Sequence, residues 1–266
     1  WEMMKRTGRR PKDTPVYFYA QLSKPMDKVV SWREGRIESN SNPERISGKN
    51  AGMAVRFKTE KDEKVMLKVA ISYVSVEQAR KNMLTELSGW DFEQVKQSSF
   101  SEWNDWLGRI EVEGGSREQQ IKLYTDLWHA LLGRHVVSDA DGHYMDMTSD
   151  FPRIRQIPLG EDGKPLYNHH NFDAWWGSHW SLNILWSMAY PEVMDNFCNT
   201  MIDMYQNGGL IPRGPSGGNY TYVMIGDPAV SFFASAYNKG IRNYDAELAY
   251  EGLRKNAFVG GIRDHA

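Results

Sequence analysis

At 266 residues, 41% hydrophobic and 25% charged, the chain has the composition of a globular protein and the length for one large domain or two ordinary ones. Thirty-two Lys and Arg against 34 Asp and Glu leave a net charge of −2, with no basic stripe for nucleic acid and no acidic solvating tail. Cys198 stands alone, which excludes a disulfide framework and a cysteine-based metal site, and no apolar run reaches the roughly 18 residues of a membrane span. The excess is aromatic: 10 Trp and 13 Tyr, most of them suited to core packing and some to stacking on a ligand with an apolar face, as sugars have.

The chain opens "WEMMKRTGRRPKD", without an initiator Met or the apolar run of a signal peptide, and closes "GGIRDHA". Both ends read as cuts within a larger protein. The first hundred residues begin with strand patterns: "VYFYAQL" (16–22), "MAVRF" (53–57) and "KVMLKVAI" (64–71). Met53, Val55 and Phe57 share one face, as do Val65, Leu67, Val69 and Ile71. Half-buried strands parted by polar turns such as "SNSNPERISGKN" predict an antiparallel sandwich over residues 1–74.

The period changes at Ser75, an N-cap with Gln78 at capping-box spacing. Ala79, Met83 and Leu87 follow at helical intervals, and a helical linker is expected over 75–116. Beyond "EGGS" (113–116) each periodic segment reads as helix. Ile121, Tyr124, Leu127, Trp128 and Leu131 form one stripe. Pro191 opens a helix that Gly208–Gly209 end. Asp227 and Asp245 cap two more. Antiparallel helix pairs with long loops at 139–171 and 208–226 predict an α/α toroid over 117–266, cut short in this chain; a plain helical bundle is the alternative. The fold class is therefore α+β and multidomain.

Three stretches carry chemistry. "DADGHYMDMTSD" (139–150) places Asp139, Asp141 and His143 like a calcium loop but has Tyr144 where an EF-hand needs Gly and Asp150 where it needs a bidentate Glu, so a hairpin turn between helices is the better reading and a metal site the lesser one. "NHHNFDAWWGSHWSLNILW" (168–186) gathers His, Asp and Trp without the spacing of a zinc site. Here Trp175 and Trp176, adjacent and so unable both to face one core from a helix, suggest a sugar-binding rim with Asp173 and His179; Trp180 is a weaker member. "GGLIPRGPSGGNYTYVMIGDP" (208–228) combines glycines that permit sharp turns with the donors and acceptors Arg213, Asn219, Tyr220 and Thr221. Asp227 is a further candidate, although a cap is the simpler role for it. No phosphate-binding or nucleophile-elbow motif is present.

The segments "VYFYAQLSKP", "VAISYVSVEQARKNMLTEL", "WDFEQV", "SDADGHY", "GGLIPRGPSGGNYTYVMIGDPAV" and "YNKGIRNYDAELAYEGLRKN" together resemble glycoside hydrolase family 92, the calcium-dependent exo-acting α-mannosidases. The resemblance spans essentially the whole chain. It implies an N-terminal β-sandwich joined by helices to an (α/α)6 toroid. It also implies hydrolysis of terminal α-mannosidic bonds of N-glycan or mannan type with inversion, Ca²⁺ as cofactor, and a periplasmic or extracellular location. The family's catalytic Glu, its paired Asp and its calcium ligands come later than this chain runs, so the resemblance implies no catalytic residue and no metal ligand here. It implies instead a partnership with the remainder of the toroid and an inactive fragment. Where the family shows a "WD" pair followed by an Arg, this chain reads "DAWWGSHW", with Asp173 and His179 nearest in role. That departure implies either a differently built sugar site or a different substrate. A non-catalytic glycan-binding protein and a retaining toroid glycosidase are the alternatives.

Overall fold

The computed structural model describes residues 14–38, 46–133, 135–149, 151–172, 175–222 and 226–265. Two antiparallel sheets lie at the N-terminal end. β1 (Tyr17–Leu22) pairs with β5 (Leu67–Ser72), with Phe18 opposite Ile71 and Ala20 opposite Val69. β2 (Lys28–Arg33) is flanked by β3 (Arg36–Glu38) and β4 (Gly52–Arg56). The three strands expected from alternation are all present, within a residue or three. β2 and β3 were not expected, because "KVVSWREGRIE" mixes charge into both faces.

The alternation is real, yet the apolar faces are open. Phe18, Leu67, Val69 and Ile71 are exposed on one sheet, and Met53 and Val55 on the other. The sandwich core expected between the sheets is not formed among the described residues. Helix α1 (Val76–Glu86) packs on β1 and β5 instead. It lies along the Ala70 and Ser72 side, burying Ala79 and Met83 completely. Ser75 caps it as expected, its hydroxyl accepting from Gln78 N at 3.0 Å. The other half of the capping box is missing: Gln78 turns its Nε2 to Asp141, and Ser75 N donates to Ser72 Oγ instead.

The remaining helices are α2 (Phe92–Leu107), α3 (Arg117–Leu131), one-turn α4 (Trp175–Ser178), α5 (Leu182–Ala189), α6 (Pro191–Gly208), α7 (Pro228–Asn238) and α8 (Ala246–Asn256), followed by a 3-10 turn at Ile262–His265. Their caps account for their limits. Ser116 and Gln119 form a complete capping box on α3. Pro191 occupies the first turn of α6, and Gly209 ends that helix at φ 85°, a conformation suited to glycine. Asp245 accepts from Leu248 N at 2.9 Å at the start of α8.

These helices enclose one aromatic core. Phe197 sits at its centre, stacked on Trp186 at 5.5 Å and met edge-on by Trp175 at 4.9 Å. Phe232, Tyr190, Met194, Met201 and Ala236 complete it, all fully buried. The long stretch between α3 and α4, read from sequence as a loop, contains four short strands. β6 (His135–Val136) pairs with β9 (His170–Asn171), and β7 (His143–Asp146) pairs with β8 (Arg153–Gln156). The turn at 139–142 does lead into a hairpin, but one of strands and not of helices.

Candidate functional site

The glycine-rich stretch after α6 is ordered and largely buried from Leu210 to Thr221. Ser216 and Asn219 bridge a tight turn in which Gly217 and Gly218 take φ 57° and 69°. Gly218 is obligatory here: a Cβ would lie 2.3 Å from the Met145 carbonyl oxygen. Two hydrogen bonds anchor the turn to the strand region. Met147 N donates to Gly218 O at 2.8 Å, and Phe172 N donates to Pro215 O at 2.8 Å. The Asn171 side-chain oxygen also accepts from Gly217 N. The segment is thus a fixed part of the helical unit.

That anchoring consumes several of the groups expected to face a ligand. Tyr220 is 4% exposed, and its hydroxyl donates to Met204 O at 2.7 Å and accepts from Leu210 N at 3.2 Å. It holds the end of α6 and has no hydroxyl left for a sugar. Arg213 is buried and donates from Nη2 to Ile262 O at 2.8 Å. Thr221 is buried as well. Asn219 is half-buried, its side-chain oxygen accepting from Tyr220 N at 2.8 Å. Asp227 makes no side-chain capping bond at α7, contrary to expectation; its carboxylate accepts from Asn256 Nδ2 at 3.2 Å, and burial raises its pKa against that bond. It therefore ties α7 to α8.

The paired tryptophans separate. Trp175 is 1% exposed, edge-on to Phe232 at 3.8 Å. It is a core residue with no ring face for a ligand, which corrects the expectation of a double stacking rim. Trp176 is 61% exposed and Trp180 78% exposed. His179 is exposed and meets the Trp180 ring at 4.8 Å in a T-shaped contact. Asp173 lies outside the described residues. The structure thus leaves Trp176, His179 and Trp180 as an open patch on and after α4. Asn171 and Phe172, a few residues before it, link this region to the glycine turn.

Between the turn and the sheet unit lies a cleft of about 30 Å³, lined by Thr14, Tyr73, Val137, Met145, Asn171, Gly217 and Gly218. It has room for a water or two and no more. The larger grooves lie elsewhere. One of about 750 Å³ runs between α7 and α8, and one of about 490 Å³ between α2 and α3; neither is lined by an expected site residue. Asn171 and Tyr73 were missed by the sequence reading. The density of polar residues in "NHHNFD" pointed near Asn171, but nothing marked Tyr73.

A buried polar cluster lies beneath β7. Tyr167 Oη donates to both oxygens of Asp203, at 2.9 and 3.1 Å, and His169 Nε2 stands 4.0 Å from the same carboxylate. Tyr144 stacks on the His169 ring at 4.1 Å and receives a hydrogen bond from Asn207. Burial raises the Asp203 pKa to about 7, helped by the nearby Asp146 charge and opposed by the Tyr167 bond. Burial lowers that of His169 to about 3, with His170 adding to the effect.

Calcium, implied by the resemblance, finds no site among the described residues. No three His, Cys, Asp or Glu gather there to hold a metal ion. Asp139 and Asp141, the nearest to a calcium loop, are committed to Ser72, Asn82, Gln78 and His143. With these bonds made, the turn does not present a donor set that fits a cation.

The sheet unit and the helical unit that follows it each match a model of one family of known proteins. The glycosyl hydrolase family 92 N-terminal domain matches residues 2–72, and the family 92 catalytic domain matches residues 78–265. The chain belongs to glycosyl hydrolase family 92. It is similar to a family 92 α-mannosidase of Bacteroides thetaiotaomicron, with 26% identity, a TM-score of 0.76, and coverage of 90% of this chain and 32% of that one. A family 92 inverting mannosidase of the same organism aligns at 23% identity and a TM-score of 0.76, over 91% of this chain and 31% of that one. A protein of Arthroderma benhamiae described as an uncharacterized secreted glycosidase is 26% identical over 79% of this chain and 22% of its own length. The chain thus spans about a third or less of the relatives it matches. No helix among the described residues is long and apolar enough to cross a membrane.

Proposed function

We propose that this chain is the sheet-to-helix portion of an exo-acting glycosidase that removes terminal α-linked mannose from glycans with inversion. The observation that carries the reading is the family match, which runs through both units in order. A relative at 25% identity and a TM-score of 0.75, solved in complex with mannoimidazole, supports mannose as the sugar. Trp176 and Trp180 offer ring faces for a pyranose, and His179 and Asn219 offer hydrogen bonds to hydroxyls. Arg213, Tyr220 and Thr221 shape the turn from beneath. Proton transfer falls to carboxylates outside these residues. Inversion needs an acid and a base roughly 6.5–9.5 Å apart to admit a water. A calcium ion in the complete enzyme would likewise be held by residues beyond those described. Further strands would cover the open sheet faces, and further helices of an (α/α)6 ring would cover the exposed α7 and α8 surfaces. Export is supported by the description of the fungal relative as secreted.

The test is hydrolysis of α-linked mannobioses by the full-length protein, with and without a chelator, with the first-released anomer followed by NMR. Release of β-mannose, lost on chelation, is the expected outcome. Release of the α-anomer would make the enzyme retaining, and binding without turnover would make the protein a lectin.

A further inference from the structure

The turn at 139–142 is not a calcium loop, and its acidic residues have other work. Asp139 is buried between the two units. Its Oδ2 accepts from Ser72 Oγ at 2.9 Å, and its Oδ1 accepts from Asn82 Nδ2 at 2.7 Å. Both partners are fully committed. Ser72 Oγ also accepts from Val74 N at 2.9 Å and Ser75 N at 3.4 Å. Asn82 Nδ2 also donates to Ile71 O, while its Oδ1 accepts from Ala140 N, both at 2.9 Å. The orientation of the Asn82 amide is therefore fixed. Two residues on, Asp141 accepts from Gln78 Nε2 through both oxygens, at 3.0 and 3.1 Å. It also bonds His143 Nδ1 at 2.8 Å and faces Lys81 at 3.6 Å. These bonds join positions 57 to 67 residues apart in sequence. Two bonds cross the boundary between the family's two domains, Ser72 to Asp139 and Asn82 to Ile71, since residues up to 72 match one domain and those from 78 the other; the Asn82–Asp139 and Gln78–Asp141 bonds lie within the second domain and seat the turn on α1.

We infer that the Asp139–Asp141 turn is the joint that fixes the sheet unit on the helical unit, with Asp139 a positioning residue for the glycine turn at Gly217–Gly218. The path is short. β7 leaves the joint at His143, Met147 N at its far end bonds Gly218 O, and Gly218 packs against the Met145 carbonyl without room for a methyl. Tyr73, next to Ser72, lines the cleft opposite that turn, so the separation of its two walls is set at the joint.

The experiment is hydrogen exchange, read by mass spectrometry, on the full-length protein and its Asp139→Asn and Ser72→Ala variants. An amide at 139 presents an N–H₂ to one of two fixed donors, so one charge-assisted bond is lost. Exchange should rise about tenfold to a hundredfold at 70–73, 139–143 and 217–218 together, with α7 and α8 unchanged. Ser72→Ala should give the same coupled pattern more weakly, and it decides the matter if Asp139→Asn fails to fold. A rise confined to 139–143 in either variant would reduce the turn to a local structure and overturn the joint. A kinetic arm, which rests on the α-mannosidase reading, predicts a raised KM with kcat within about twofold, because the turn is positioned and no reacting group is touched. A fall in kcat at constant KM would overturn the positioning role. Absence of hydrolysis in the wild type would refute the functional reading and leave the exchange result to judge the joint.

Discussion

The Asp203–His169 pair makes a quantitative prediction about stability and pH. In the fold, Asp203 titrates near 7 instead of its ordinary 3.8, because burial disfavours its charge. The folded state therefore holds a proton that the unfolded chain gives up, and the associated stability, complete below pH 4, is lost as pH rises towards 7. His169 behaves oppositely. Burial lowers it from 6.5 to about 3, so its contribution is complete above pH 6.5 and is lost as pH falls towards 3. Each group alone would tilt the stability curve by 1.36 kcal/mol per pH unit, with opposite signs, and between pH 4 and 6.5 the two slopes cancel. The same result follows if the proton resides on the imidazole instead, since folded and unfolded pairs each carry one proton across that window.

The perturbation is Asp203→Asn, which keeps an acceptor for Tyr167 and cannot titrate. It should unmask the histidine, so that stability rises by about 3 kcal/mol from pH 4 to 6.5, whereas the wild type shows no slope from this pair. His169→Phe, which retains a ring beneath Tyr144, should show the mirror image, a fall of about 3 kcal/mol over the same range. Urea titrations at half-unit pH intervals, with exchange protection in α6 and β7 as the local readout, measure both. If the two variants and the wild type share one pH profile between 4 and 6.5, the cluster is not titrating as its burial requires, and the reasoning fails.

Trp175→Ala should destabilise the helical unit by about 3 to 5 kcal/mol in denaturant titrations, because it empties a site between Phe197 and Phe232; a variant of normal stability with weakened glycan affinity would return Trp175 to the binding surface. Trp176→Ala should do the reverse, changing stability by less than about 0.5 kcal/mol while raising KM or weakening mannoside binding, as titration calorimetry on the full-length protein would register. Gly218→Ala should cost more than about 2 kcal/mol, since a methyl at φ 69° collides with the Met145 carbonyl, and a thermal melt unchanged from wild type would contradict the tightness of the turn.

What sequence could reveal here was local, and what it could not reveal was which groups already had partners. Ser75, Ser116, Pro191, Gly209 and Asp245 act within one helical turn, so their roles could be read from spacing alone. The period of β5 was equally plain, but period does not say which face is covered: α1 lies against Ala70 and Ser72, and the apolar Leu67, Val69 and Ile71 look outward. Adjacent tryptophans on a helix must diverge, and they do, yet the rule names neither the inward one nor its neighbours. Tyr220 and Asp227 illustrate the deeper limit. Each carries a polar group in a glycine-rich stretch, as a sugar site would, and each is spent on a partner 16 and 29 residues away in sequence. A buried polar group must find a partner somewhere, and long-range partners leave no mark on local composition. The same blindness hid the joint. Asp139 and Asp141 have the spacing of cation ligands, and whether a cation or Ser72, Asn82 and Gln78 meets them is decided by a strand end and a helix 57 to 67 residues upstream.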